Sequence, residues 1–563
     1  MRIRYAALLI IVALTGVINI LGCGDRQNRA KYEIAKVDLK RGNILLCGDG
    51  QFGKVNFNLG CDPATRATFD LGLSLLHSFE YSEAEKAFVQ VLDNDPGCTM
   101  AYWGVAMSNF HPLWEAPNKA ELEKGSKVLQ IARELPSSDH DRAYIDAIAA
   151  FYDHWQELDH RTRTLRFEEQ MARLHNQYPD EVEAAVFYAL ALNAAADPAD
   201  KSYTNQRKAG ELLESLFPEQ PDHPGIAHYI IHNYDSPELA ELALPTARKY
   251  SQIAPASAHA QHMPSHIFTR LGLWEESIQS NLNSTSSAVC YAQSFDADGH
   301  WDEELHGMDY LVYAYLQVGN NKEARAQYDY LKSFRKVFPA NFKVAYTAAA
   351  VPSRLAMENK NWQEAAELEL PLATEIPWDD FPWQRSLLHY SRAMGAIHLG
   401  ELQRAEEELE RIEQWQDDLI RQQDQYKANQ LQIEITIIKA WMELKKGRDR
   451  QALELMKLAA DMESKTTKHP VTPGEILPAE ELLGDMLLST GRSAEALLAY
   501  EADLKTHPNR FNGIYGAALA ASRIGETAKA SGYFQLLLKN ASGTGSQRKE
   551  LEEARAYLGS HML

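Results

Sequence analysis

EELLGDMLLSTGRSAEALLAYEADLKTHP, residues 480–508, decides the fold. Gly484, Ala496 and Tyr500 return 34 residues later as Ala518, Ala530 and Phe534, and Pro508 closes the first unit. Near the front the same frame holds Gly72, Ala84, Phe88 and Asp95-Pro96, with Gly104 following. Small residues let two antiparallel helices approach, the aromatic fills the space toward the next hairpin, and proline stops the second helix. A period of this length with these residue types is the tetratricopeptide (TPR) pattern. Weaker copies surround Ala324 and Tyr328, Ala365, Ala405 and Ala452. The expected fold is all-α, a TPR-type α-solenoid of stacked antiparallel helical hairpins. Only Lys54–Phe57 reads as strand-like.

The rest of the chain is consistent with a folded acidic protein. It has 563 residues, 57 Lys plus Arg against 78 Asp plus Glu, and a net charge of −21. A pI near 5.4 argues against a nucleic-acid partner, which needs a basic surface to displace counterions. Residues 1–22, MRIRYAALLIIVALTGVINILG, join a basic start at Arg2 and Arg4 to an apolar run from Leu8 to Ile18, and read as an export signal. The following Cys23 resembles the lipidated residue of a bacterial lipobox. Gly24 rather than Asp follows it, which implies an outer-membrane lipoprotein of the cell envelope, facing the periplasm and held to the membrane by acyl chains. The expected organisation is a signal peptide at 1–22 and a polar tether with a short segment at 23–60. A first solenoid then covers 61–350, C-terminal repeats cover 351–540, and a tail covers 541–563. Cys47, Cys61, Cys98 and Cys290 would meet an oxidising compartment; Cys61 and Cys98 flank one hairpin, although four cysteines allow three pairings.

Chemistry concentrates in one block. Of 19 histidines, eight fall between positions 223 and 306: His223, His228, His232, His259, His262, His266, His300 and His306. His228 and His232 are four apart, so one helical face carries both imidazoles. His262 and His266 share that spacing, with Pro264 suggesting that a helix starts near Met263. Paired imidazoles of this kind chelate divalent transition metals such as Zn, Cu or Fe. The expected set is His228, His232, His262 and His266, with His259, His306 and Asp309 as further candidates. Tyr229 follows His228 where a metalloprotease would carry Glu, so HExxH is absent. Any carboxylate base would come from Asp296, Asp298, Asp302, Glu303, Glu304 or Asp309. Histidines that are structural, peptide-binding or active in metal-free acid–base chemistry fit the same block. P-loop, dinucleotide-binding, nucleophile-elbow and CxxCH motifs are missing.

A second set of candidates follows from the repeat frame. His77 and His111 both occupy the thirteenth position of their repeats and Trp103 the fifth, positions that face the concave side of a TPR array. There they would bind a protein, a peptide or a small ligand. Two readings therefore stand side by side: a lipid-anchored periplasmic scaffold binding a partner in its groove, and a metal-binding protein or metalloenzyme centred on the histidine block.

Beyond the repeat, residues 50–350 resemble a family of exported bacterial TPR proteins. The likeness rests on Val55-Asn56-Phe57, Cys61, Leu75-Leu76-His77-Ser78-Phe79, Ala101-Tyr102-Trp103-Gly104 and His111-Pro112-Leu113-Trp114. It continues in HPGIAHYIIH (223–232) and IAPASAHAQHMPSHIFTRLGLW (253–274). Glu80 replaces the aromatic expected after HSF. The resemblance implies the fold and brings no activity with it.

Overall fold

The computed structural model describes residues 26–45, 47, 50–113, 116–295 and 298–561. Cys23, Trp114 and Asp296, named above, lie outside them. The described residues are mostly helical with almost no strand, and successive helices pack as antiparallel hairpins of the TPR type. Among them no helix is long and apolar enough to cross a membrane. Lys54–Phe57 forms no strand: the Lys54 amide donates to the Asp222 carbonyl at 2.9 Å, and Phe57 is buried. Two residues on each side, His300–Trp301 and Val337–Phe338, make a short parallel pair instead.

The chain divides into two compact units. One takes the described part of Met1–Asn233 together with Gln252–His259; the other takes Tyr234–Ser251 and Ala260–Leu563. The expected boundary at 350/351 is thus corrected. Helix Asp302–Gln317 packs on Phe342–Glu358, which packs on Pro382–Leu399, so hairpins continue through residue 350 without a break.

In the first unit, α1 (Arg66–His77) and α2 (Tyr81–Asn94) form the opening hairpin, and α3 (Thr99–Met107) begins the next. Phe88 on α2 is fully buried between two glycines. A Cβ on Gly72 would meet its ring at 3.1 Å, and one on Gly104 at 2.4 Å. That is the close approach the repeat requires. Cys61 and Cys98 are bonded sulfur to sulfur, with Cα atoms 4.9 Å apart, bracketing this hairpin. Farther along come α4 (Val182–Ala194) and α5 (Pro224–Asn233). The expected free tether is partly corrected: the Lys40 and Leu45 amides donate to the buried carboxylates of Glu85 and Glu83 at 2.8 and 2.7 Å, and Ala30 and Ile34 are buried. These bonds fix residues 30–45 against α2.

In the second unit, α6 (Pro264–Leu271), α7 (Trp274–Phe295), α8 (Asp302–Gln317) and α9 (Phe342–Glu358) precede the C-terminal repeats. There Tyr500 repeats the role of Phe88, since Cβ atoms on Gly484 and Gly516 would lie 2.7 and 2.3 Å from its ring. The irregular segment 466–478 runs along the first helices of several hairpins. Arg354 and Tyr346 on α9 donate to the Gly474 carbonyl at 2.7 and 3.2 Å, and Tyr426 donates to the Thr467 carbonyl at 3.1 Å. His469 stacks on Phe342 with ring centres 4.3 Å apart. The chain itself thus covers surface that a groove ligand would use in this unit.

Candidate metal centres

Helix geometry places His262 and His266 together, as their spacing predicts. Pro264 occupies the first helical position of α6, where its missing N–H costs nothing. Met263 before it keeps right-handed helical angles, φ −52° and ψ −36°, so the turn from His262 to His266 is continuous. The first turn of α8 adds His306. One ligand atom from each of the three lies within 4.8 Å of the others, and all three residues are buried.

The outer hydrogen bonds of this group decide what its inner nitrogens do. Nδ1 of His262 lies 2.6 Å from Oδ1 of Asn281 on α7, whose amide nitrogen is already donating to the Ser277 carbonyl at 2.8 Å. The Asn281 oxygen accepts, so His262 carries its proton on Nδ1. Nδ1 of His266 lies 2.9 Å from Asp235. Burial would raise that carboxyl, but Lys468, Arg270 and His266 hold it well below the ordinary carboxylate range. An ionised carboxylate only accepts, so His266 also carries its proton on Nδ1. Their Nε2 atoms then lie 3.0 Å apart. A contact this short between two ring nitrogens is held by a proton or by a metal ion shared between them. Burial, and then His262, keep the imidazole of His306 neutral by pushing its pKa well below the usual value. Three imidazoles, two of them oriented by outer partners, have the donor chemistry of a transition-metal site.

A second histidine group belongs to the first unit. His228 and His232 on α5 meet His259, again with ligand atoms within 4.8 Å. The four-histidine set expected from sequence is therefore corrected. His228 and His232 pair with His259, and His262 and His266 pair with His306, because the chain changes unit between positions 259 and 260.

The neighbouring carboxylates are committed elsewhere. Asp309 is bound to Arg354 at 3.1 Å, Asp302 to Lys343 at 2.8 Å, and Glu303 to the same lysine. Glu304 accepts from Tyr330 at 2.8 Å and contacts His300 at 2.9 Å. Asp298 is exposed. Asp309 is thus corrected as a ligand: its charge is spent on a buried guanidinium.

The groove residues are corrected as well. His77 is 0% exposed. Its Nε2 lies 2.9 Å from Glu183 on α4, and its Nδ1 lies 3.1 Å from the Tyr229 hydroxyl. His223 Nε2 reaches the other oxygen of Glu183 at 3.0 Å, while its Nδ1 accepts from the Ile226 amide at 3.3 Å. Burial pushes Glu183 up, but the two imidazoles outweigh it and hold the carboxyl at about 2. Trp103, 2% exposed, stacks on Phe57 and meets Phe187 and Tyr144 edge-on. Helices α4 and α5 cover what an open array would leave as groove. His111 alone is half-buried, 3.3 Å from Glu121. Asp235, Asn281 and Glu183 escaped the sequence reading because they come from turns and helices remote in sequence; only Asp235, three residues past His232, sits near a motif.

No family model and no curated protein matches the chain. Among solved structures it is similar to the crystal structure of yeast Tom70, with 13% identity and a TM-score of 0.33 over 89% of this chain and 96% of that one. It is also similar to the human IFIT1 dimer with PPP-AAAA, with 11% identity and a TM-score of 0.34 over 83% and 95%.

Proposed function

We propose that this helical-repeat scaffold holds a transition-metal ion at His262, His266 and His306. The observation that carries the reading is the pair of Nε2 atoms 3.0 Å apart, with each ring's Nδ1 against an outer acceptor. A metal ion would hold both nitrogens. A shared proton is the competing explanation, and burial disfavours it by penalising the charged imidazolium. Asp235 would orient His266 and raise its basicity, and Asn281 would do the same for His262. By its resemblance, the protein works at the cell envelope, exported and anchored through Cys23. The reading is one of metal binding and names no reaction.

Elemental analysis of the full chain, prepared without a histidine tag, tests the metal. The expected result is an equivalent of zinc, copper or iron that His266→Ala and His306→Ala each remove. Wild-type protein that takes up no metal, with both variants merely less stable, would overturn it. A protein or peptide partner is the second reading, favoured by the stacked hairpins. Such a partner does not reach His77 or Trp103, and in the second unit it would compete with segment 466–478.

A further inference from the structure

The first unit carries a histidine group of its own, and the loop between α1 and α2 is shaped around it. Nδ1 of His228 lies 2.6 Å from the carbonyl of His77, the last residue of α1. A carbonyl only accepts, so His228 carries its proton on Nδ1, which leaves Nε2 as the ring's ligand atom. Ring centres lie 4.7 Å from His228 to His232 and 5.0 Å from His228 to His259. One ligand atom from each of the three lies within 4.8 Å of the others. Around a tetrahedral ion with bonds of about 2.05 Å, ligand nitrogens lie about 3.4 Å apart.

Phe79 supplies a second, independent observation. It follows the end of α1 at φ 58°, the left-handed region where helices usually place glycine. A phenylalanine there is strained, because its Cβ crowds the following carbonyl. The strained backbone directs its ring onto all three imidazoles, with centres at 4.3 Å from His228, 5.5 Å from His232 and 5.7 Å from His259. Such strain in a non-glycine residue marks a position shaped for something other than folding. Here the ring forms a dry wall over the histidines. The motif residues Leu76-His77-Ser78-Phe79 and His228-Tyr229-Ile230-Ile231-His232 thus meet at one place.

We infer that His228, His232 and His259 form a second metal site, separate from the one in the second unit. Its three donors are imidazoles with no carboxylate among them, which suits a late first-row ion, copper or zinc, over the oxygen-seeking cations. The site rests on its own geometry and stands or falls apart from the His262 reading.

The experiment loads apo full-length protein with Zn²⁺ alone and, under anaerobic conditions, with Cu⁺ alone. The proteins are wild type, His266→Ala, His232→Ala and the double variant. The inference expects two equivalents in wild type, one in each single variant and none in the double variant. Uptake of one equivalent by wild type that His266→Ala abolishes would overturn this second site and leave the first. Uptake of one equivalent that only His232→Ala abolishes would retain this site and overturn the first. The two arms identify the ion. Should His232→Ala lose its cooperative melt, modification of wild type by diethyl pyrocarbonate replaces it, because His232 is only half-buried. With His266→Ala as the host, metal should slow modification of His232 at least tenfold; equal rates with and without metal would overturn the site. In Phe79→Gly, relief of backbone strain should preserve the melt while metal dissociates faster.

Discussion

Two buried histidine groups show how little residue type and spacing decide by themselves. In the second unit, His262, His266 and His306 crowd together; in the first, His77, His223 and Glu183 do the same. Both have ligand atoms close enough to one another for a metal. They differ in where the protons are held. The His262 group binds its outer partners through Nδ1, leaving Nε2 lone pairs to converge. The His77 group turns both Nε2 atoms onto a carboxylate that the two imidazoles satisfy by donation. The first has the arrangement proposed to take a cation, and the second already has its charge balanced by hydrogen bonds. A carboxylate inside a histidine cluster therefore argues against a metal when both imidazoles spend their N–H groups on it.

Substitution of that carboxylate should have the largest effect and should break the comparison if it is wrong. Glu183→Gln places an amide NH₂ against an imidazole N–H and leaves a buried donor unmatched. Stability should fall by about 3 kcal/mol, while metal content stays at the wild-type value. Chemical denaturation with parallel elemental analysis checks both. Loss of metal without loss of stability would show that Glu183 is a ligand. The same residue predicts an acid window. Its folded pKa of about 2 lies below the unfolded value near 4.5, so the unfolded chain binds protons first as pH falls. The stabilisation is complete above the unfolded value and disappears as pH falls through about 2. Burial lowers the His77 pKa, which acts in the same direction from higher pH. A plot of stability against pH should therefore slope downward toward acid in wild type and flatten below pH 5 in Glu183→Gln.

The orienting bonds of the other group give the next effect in size. Asn281→Leu removes the acceptor that fixes the His262 tautomer, with little change in volume. Metal affinity should fall about 10- to 100-fold, the usual cost of losing an outer partner. Tyr229→Phe, which removes the hydroxyl from Nδ1 of His77, should leave affinity unchanged. A chelator competition run on both variants reads the difference. Equal affinities would mean that the Nδ1 partner does not set the site.

How much of this was legible in sequence follows from how local each signal is. Phe88 between Gly72 and Gly104, and Tyr500 between Gly484 and Gly516, are contacts within a hairpin or between neighbours, so a period of 34 residues reveals them. The pairs His228–His232 and His262–His266 are likewise set by one helical turn. The third member of each group was visible only as a nearby candidate, because tertiary packing supplies it. Asn281 and Glu183 carry no local mark, and Asp235 only its place three residues past His232. His77 misled for a physical reason: the thirteenth-position rule assumes an open inner face, and α4 and α5 cover it. The tether misled because polar composition does not show that Glu83 and Glu85 are buried beneath it, ready to accept its amides.

The smallest expected effect tests whether the second unit's site ends at three ligands. The Tyr310 hydroxyl lies 3.4 Å from both ring nitrogens of His266, at the outer limit of a hydrogen bond. Burial raises its phenol pKa well above the ordinary value, so the oxygen keeps its proton and is a poor ligand. Its counterpart Tyr229, at 3.1 Å from His77, serves a group whose nitrogens are all hydrogen-bonded. Tyr310→Phe should therefore weaken metal binding by less than about threefold, under roughly 0.7 kcal/mol. The ultraviolet difference spectrum on metal addition should show no phenolate band. A loss of tenfold or more, with such a band in wild type, would make Tyr310 a fourth ligand. The site would then carry an anionic donor, and its preference would move from copper and zinc toward ferric iron.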